Sequence, residues 1–86
     1  MSKQEEQLIA EGEAAQQLLG TEAFNQTVNS LVESYFQSFV NTKPEDKEAR
    51  EANYYSYRGL VEMVGTLQQR VSIKDEIMNR NNNEEE

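Results

Sequence analysis

Of the residue types that carry most enzyme and metal chemistry, this chain has neither cysteine nor histidine. Nucleophilic catalysis of the common kinds needs a cysteine, or a serine with a base that is usually histidine, so the familiar pairs are missing. Zinc sites of ordinary composition fall with them. Carboxylates, tyrosines and arginines remain. Glu45, Asp46, Glu48 and Glu51 stand close together and have the chemistry of hard-cation ligands. They lack the alternating oxygen ligands, central glycine and closing glutamate of a calcium loop. Their placement suits the first turns of a helix, where the dipole favours acids. The glycines, Gly12, Gly20, Gly59 and Gly65, are too scattered to cradle a phosphate. No catalytic, cofactor-binding or metal-ligating residue is assigned, and the expectation is a protein that is not an enzyme and takes no cofactor.

The run Asn53-Tyr54-Tyr55-Ser56-Tyr57-Arg58 is more suggestive. On a helix Tyr54, Tyr57 and Arg58 lie near one another, while Tyr55 points about 200° round the axis from Tyr57. Three tyrosines cannot all serve one core face, and tyrosine with arginine is the composition of binding hot spots. The plainer alternative packs Tyr54 and Tyr57 on a neighbouring helix with their hydroxyls in water. Arg58, Arg70, Lys74 and Arg80, with Tyr55 for stacking, would line a weak nucleic-acid surface. They are interleaved with Glu62, Asp75 and Glu76 in a chain of net charge −8, so nucleic acid is a disfavoured partner.

These residues sit on a long stretch, Pro44 to Met78, that reads as one helix. Asn53, Tyr57, Leu60, Val64, Leu67, Val71, Lys74 and Met78 alternate four and three residues apart. That is a seam for another helix, interrupted only by Asn53 and Lys74. Gly59 and Gly65 flank it, either as tolerated defects or as places where a partner comes close. Thr42 and Glu45 have capping-box spacing, with Pro44 in the first turn. Asp46 with Arg50 and Glu76 with Arg80 are expected as i,i+4 pairs.

Upstream, residues 4–19 form a short helix with Leu8, Ile9, Ala15, Leu18 and Leu19 on its apolar side. Gly12 inside it costs about 1 kcal/mol relative to alanine. Gly20 is the expected left-handed stop and Thr21 the next N-cap. Residues 22–40 place Phe24, Val28, Leu31 and Tyr35 on a stripe that Val32, Phe36, Phe39 and Val40 widen. An arc so broad packs against two neighbours or sits inside a small bundle. The short connection to the long helix makes an antiparallel hairpin of residues 22–40 and 44–78. The hairpin is lopsided, at roughly 28 Å against 52 Å. The surplus from Val64 to Met78 is covered either by the first helix or by another chain, and an uncovered stripe of that length marks an interface. The candidate interface residues are Val64, Leu67, Val71, Met78, Tyr55 and Arg58.

The chain's 86 residues allow one small domain, residues 1–80, followed by an acidic tail, 81–86, expected to be disordered. A chain this size buries only about 60–65% of its unfolded surface, so self-association is the route left open to complete the fold, alongside a well-packed helical monomer. Residues 1–42 carry one base against six acids, while residues 43–80 hold seven of each. No apolar run suggests a signal peptide or a membrane span, so a soluble protein with no membrane partner is expected.

The order of features resembles a family. An alanine-, leucine- and glutamine-rich helix leads to Leu18-Leu19-Gly20-Thr21-Glu22-Ala23-Phe24, and an aromatic helix ends in Tyr35 and Phe39. Asn41-Thr42-Lys43-Pro44-Glu45-Asp46-Lys47-Glu48-Ala49-Arg50-Glu51 follows, then the tyrosine-rich seam to Leu67. This is similar to the small helical-hairpin proteins found among tailed-bacteriophage genes, over most of residues 14–72. The resemblance implies a phage origin, the host cytoplasm or the virion as location, and a place among virion or assembly components. It transfers no active-site residue. The expected function is a non-enzymatic assembly protein that binds itself, or another phage or host protein. The alternatives are an inhibitor of a host enzyme or defence factor, and a weak nucleic-acid-associated module.

Overall fold

The computed structural model describes the backbone of residues 1–85 and the side chains of residues 1–83. Three helices follow in order: α1 (Lys3–Leu19), α2 (Glu22–Val40) and α3 (Lys47–Glu85). The all-α class and the antiparallel hairpin expected from the periodicity are both present. Asn53 Nδ2 donates to the Tyr35 carbonyl at 2.7 Å, which fixes the α2–α3 pairing. Arg80 bonds Glu5 at 2.8 Å while Gly12 lies against Arg70 and Lys74, so α1 also runs antiparallel to α3. The contact of α1 with α3 is the most extensive of the three, and α1 barely touches α2.

The two short helices therefore lie end to end along the long one. With 17 and 19 residues they span about 54 Å, close to the roughly 58 Å of the 39-residue α3. That match answers the lopsided hairpin: α1 covers the surplus half of α3. The result is a rod of 62 × 24 × 19 Å, with a radius of gyration of 18.3 Å. A compact chain of this length would measure about 12 Å.

Local chemistry sets each helix end. Ser2 caps α1 with a reciprocal capping box to Glu5, a Ser-x-x-Glu signal legible in the sequence that places the start one residue before the expected one. Gly20 is not left-handed (φ −86°, ψ −6°). The chain re-enters a helix at once, and Thr21 meets the loose carbonyls instead: its N–H and hydroxyl donate to the Leu18 carbonyl at 3.1 and 2.8 Å. Asn25 Nδ2 reaches the Leu19 carbonyl at 2.8 Å. Thr21 caps α2 as expected, accepting from Phe24 N–H at 3.2 Å.

The expected capping box at Thr42 and Glu45 does not form, and α3 starts at Lys47 rather than Pro44. Lys43-Pro44-Glu45-Asp46 is a β-turn, closed by the Asp46 N–H to the Lys43 carbonyl at 2.9 Å, with proline where a turn wants its fixed φ. Asp46 Oδ2 accepts from Lys43 N–H at 3.0 Å. Arg50 donates to the Lys43 and Pro44 carbonyls instead of pairing with Asp46. Arg80 likewise forms its ion pair with Glu5, across to α1, rather than with Glu76. At the other end α3 continues to Glu85, through most of the tail expected to be disordered; Glu86 lies outside the described residues. Asn81 is half-buried on the seam there, which extends the packed length beyond Met78.

The seam itself turns. Asn53, Leu60, Leu67, Lys74 and Asn81, seven residues apart, are buried or half-buried along the whole of α3. Their companions change: Val64 and Val71 flank one side, Ile77 the other, and Met78 is left 43% exposed. At 100° per residue the buried direction rotates by roughly 90° between the α2-facing and α1-facing halves. Met78 was expected on the seam because a single straight stripe was assumed.

Gly12 explains itself here. A Cβ on it would lie 2.7 Å from the Arg70 carbonyl oxygen and closer still to the Lys74 Cβ. The approach of α1 requires glycine, whereas Gly59 and Gly65 have nothing within 4 Å of such a Cβ. Gly12→Ala should thus destabilise the chain by about 1–3 kcal/mol despite its helix propensity. Gly59→Ala should stabilise it by up to about 1 kcal/mol, with urea unfolding as the measurement for both. Glu5 gives a pH prediction. The Ser2 N–H and then the Arg80 guanidinium hold its carboxyl below the ordinary value near 4.5. The carboxylate's stabilisation is therefore full above that value and is lost as pH falls through the lower folded one. Glu5→Gln should flatten acid unfolding below pH 4.5, as followed by circular dichroism at 222 nm, and leave the neutral-pH dependence unchanged.

Candidate protein-interaction groove

The two halves of the rod are covered unequally. The buried apolar residues are Ala15, Leu60 and Ile77, and α2 contributes none. Its half-buried residues, Phe24, Val28 and Tyr35, face α3 along one line. The arc as a whole was expected to meet two neighbours or to sit inside a small bundle, and within the chain only α3 lies along it. Phe36, Phe39 and Val40 are consequently 61%, 53% and 56% exposed.

This surplus gathers on one side of the hairpin. Val32, Tyr35, Phe36 and Phe39 of α2, with Asn53, Tyr54 and Tyr57 of α3, line a recess of about 310 Å³. A second recess of about 280 Å³ continues from it, sharing Val32 and Tyr57 and running past Val28, Val61, Val64 and Gly65. Together they make a groove about 17 Å long between the two helices. No charged side chain lines either part. In a chain of which 28% is charged, such a surface stands apart.

The candidate interface residues are scattered by the fold. Val64 lines the inner part of the groove. Leu67 and Val71 are half-buried on the seam near the junction of the two short helices, and Met78 lies on the far half, beyond the groove. Tyr55, 69% exposed, meets Tyr54 edge to face at 5.8 Å on the outer side of α3, where Phe39, Lys47, Arg50 and Glu51 also stand. Arg58 reaches Glu62 at 4.0 Å. Tyr54 and Tyr57 do lie against α2, as the plainer reading had it, but remain 57% and 41% exposed. Phe36, Phe39, Val32 and Val61 were not foreseen as site residues. The breadth of the α2 arc was the signal for Val32, Phe36 and Phe39; Val61, on α3, had none in the seam spacing.

Elsewhere little is poised for chemistry. Among the described residues no group of three or more acids is placed to hold a metal ion, so Glu45, Asp46, Glu48 and Glu51 do not converge. Of the basic residues considered for nucleic acid, Arg58 pairs with Glu62 and Arg80 with Glu5. Lys74 is buried, its ammonium 3.3 Å from Asp75 and bonded to the Gln16 amide oxygen. No described helix is long and apolar enough to cross a membrane.

The groove residues and the core should part company on mutation. Ile77→Ala, at a buried position that lines neither recess, should cost about 2–5 kcal/mol. Phe36→Ser, at a position 61% exposed within the single chain, should cost that chain under about 1 kcal/mol in the same denaturation series, run dilute enough to keep the chains apart. No family model, curated protein or solved structure matches the chain.

Proposed function

We propose that the chain is a non-enzymatic helical assembly component that works by docking an apolar helix face into the groove between α2 and α3. A tailed-bacteriophage particle, or its assembly, is the proposed setting. The uncharged groove carries the reading: large aromatic side chains stay exposed around it in a chain of which 28% is charged. Exposed apolar surface of this kind marks a protein contact, and a cleft between two antiparallel helices suits another helix. The phage setting rests on the resemblance across residues 14–72.

A protein partner is favoured over nucleic acid for an electrostatic reason. Arg58, Lys74 and Arg80 already have acidic neighbours within the chain, which removes most of the basic line along α3. The groove itself offers aromatic faces and no cations.

The test is made on particles purified from an infection. Mass spectrometry should detect the chain in particles or in assembly intermediates. Phe36→Glu combined with Phe39→Glu, with helicity unchanged by circular dichroism, should be missing from them. If the double variant is incorporated like the wild type, the groove is not the assembly surface. If the wild-type chain is in neither fraction, the virion setting is wrong.

A further inference from the structure

We infer that the groove is filled by a second copy of this chain, face to face and antiparallel. Two α2–α3 hairpins then close a four-helix bundle, and the two α1 ends point away from each other. The inference rests on the groove being an assembly surface and specifies its occupant.

Area comes first. The chain exposes 6729 Å². A compact folded monomer of 9.9 kDa exposes about 5,200 Å², so the elongated rod exposes about 1,500 Å² more. A stable standard-size interface removes about 800 Å² from each partner, which the excess accommodates. The hairpin half of the rod is where a layer is missing, since α2 has no buried residue. An apolar two-helix layer paired with its own copy is a four-helix bundle.

Shape comes next. A two-fold contact needs one patch that both protrudes and receives. Phe36 and Phe39 protrude at one end of the groove. The other end, between Val28, Val61, Val64 and Gly65, receives, and nothing fills the space within 4 Å of where a Gly65 Cβ would be. Val32 and Tyr57, common to both recesses, lie midway. A half-turn about an axis crossing the hairpin there brings Phe36 and Phe39 of each copy over the open end of the other.

Charge sets the direction. The groove is uncharged, so two chains of net charge −8 meet there without opposing like charges. α1 carries Glu5, Glu6, Glu11 and Glu13 against Lys3. Parallel copies would lay these acidic ends side by side, whereas antiparallel copies hold them at opposite ends of the assembly.

The chain has no cysteine, so a single introduced one is an unambiguous reporter. Sedimentation equilibrium of the full chain should give twice 9.9 kDa. Phe36→Glu with Phe39→Glu should halve that mass without loss of helicity. Val32→Cys, beside the axis, should cross-link the two copies with a short bis-maleimide, and Lys3→Cys should not. A wild-type mass of one chain, or of more than two, overturns the inference; the particle experiment then decides separately whether the groove serves another partner. Cross-linking through Lys3→Cys overturns the antiparallel arrangement. A Val32→Cys dimer that does not cross-link overturns the position of the axis.

Discussion

The close approach of α1 to α3 at Gly12 is the constraint on which the rest of the rod depends. With no side chain at this point, the α1 backbone settles against the Arg70 carbonyl and the Lys74 stem. Ala15 follows one turn later and is buried, so small residues define the contact. Either flanking helix is of a length that is marginal alone in water, and gains its stability from packing. Docked on α3, α1 gives the far half of the long helix a partner as far as Asn81. The Ser2–Glu5 capping box and the Glu5–Arg80 pair close the end of that contact.

Polar residues within the seam decide how the helices register. Asn53 donates across to the Tyr35 carbonyl. Lys74 is buried with Gln16 as its cross-helix partner and Asp75 beside it. Neither adds apolar area, and both would lose a partner on a slip of one turn, as polar seam residues do in coiled coils. Asn81, whose buried Nδ2 has no partner among the described residues, contributes to the packing. Asn53 and Lys74 look like faults in a hydrophobic repeat, yet in the fold they are its most specific contacts.

Because α1 serves one half of α3 and α2 the other, the two halves differ in completeness. The α1 half offers a small-residue stripe suited to close packing. The α2 half meets α3 through one line of residues and leaves its phenylalanines beside the tyrosines of α3. The apolar surface of the molecule is thus concentrated near the loop end, with the acidic α1 at the opposite end. Assembly through the loop end and repulsion between the acidic ends are compatible consequences of one topology.

The helices were legible because their signals are local. The 3-4 spacing of α3, Thr21 as a cap, and the break after Val40 all depend on neighbours a few positions away, and the all-α hairpin follows from them. Some local choices were still misread: Gly20, Thr42 and Arg50 found partners that competed with the ones expected. The site was less legible. Surplus apolar surface was evident in the sequence, but it was assigned to Val64–Met78, and the fold puts it at Val32, Phe36, Phe39, Tyr54 and Tyr57. Composition and periodicity alone determined that there are three helices with more apolar surface than two can hide. Which half of α3 is covered the more completely was decided only by the tertiary structure. It depends on the summed length of α1 and α2 and on the fit of Gly12 to Lys74, residues 62 positions apart in the chain.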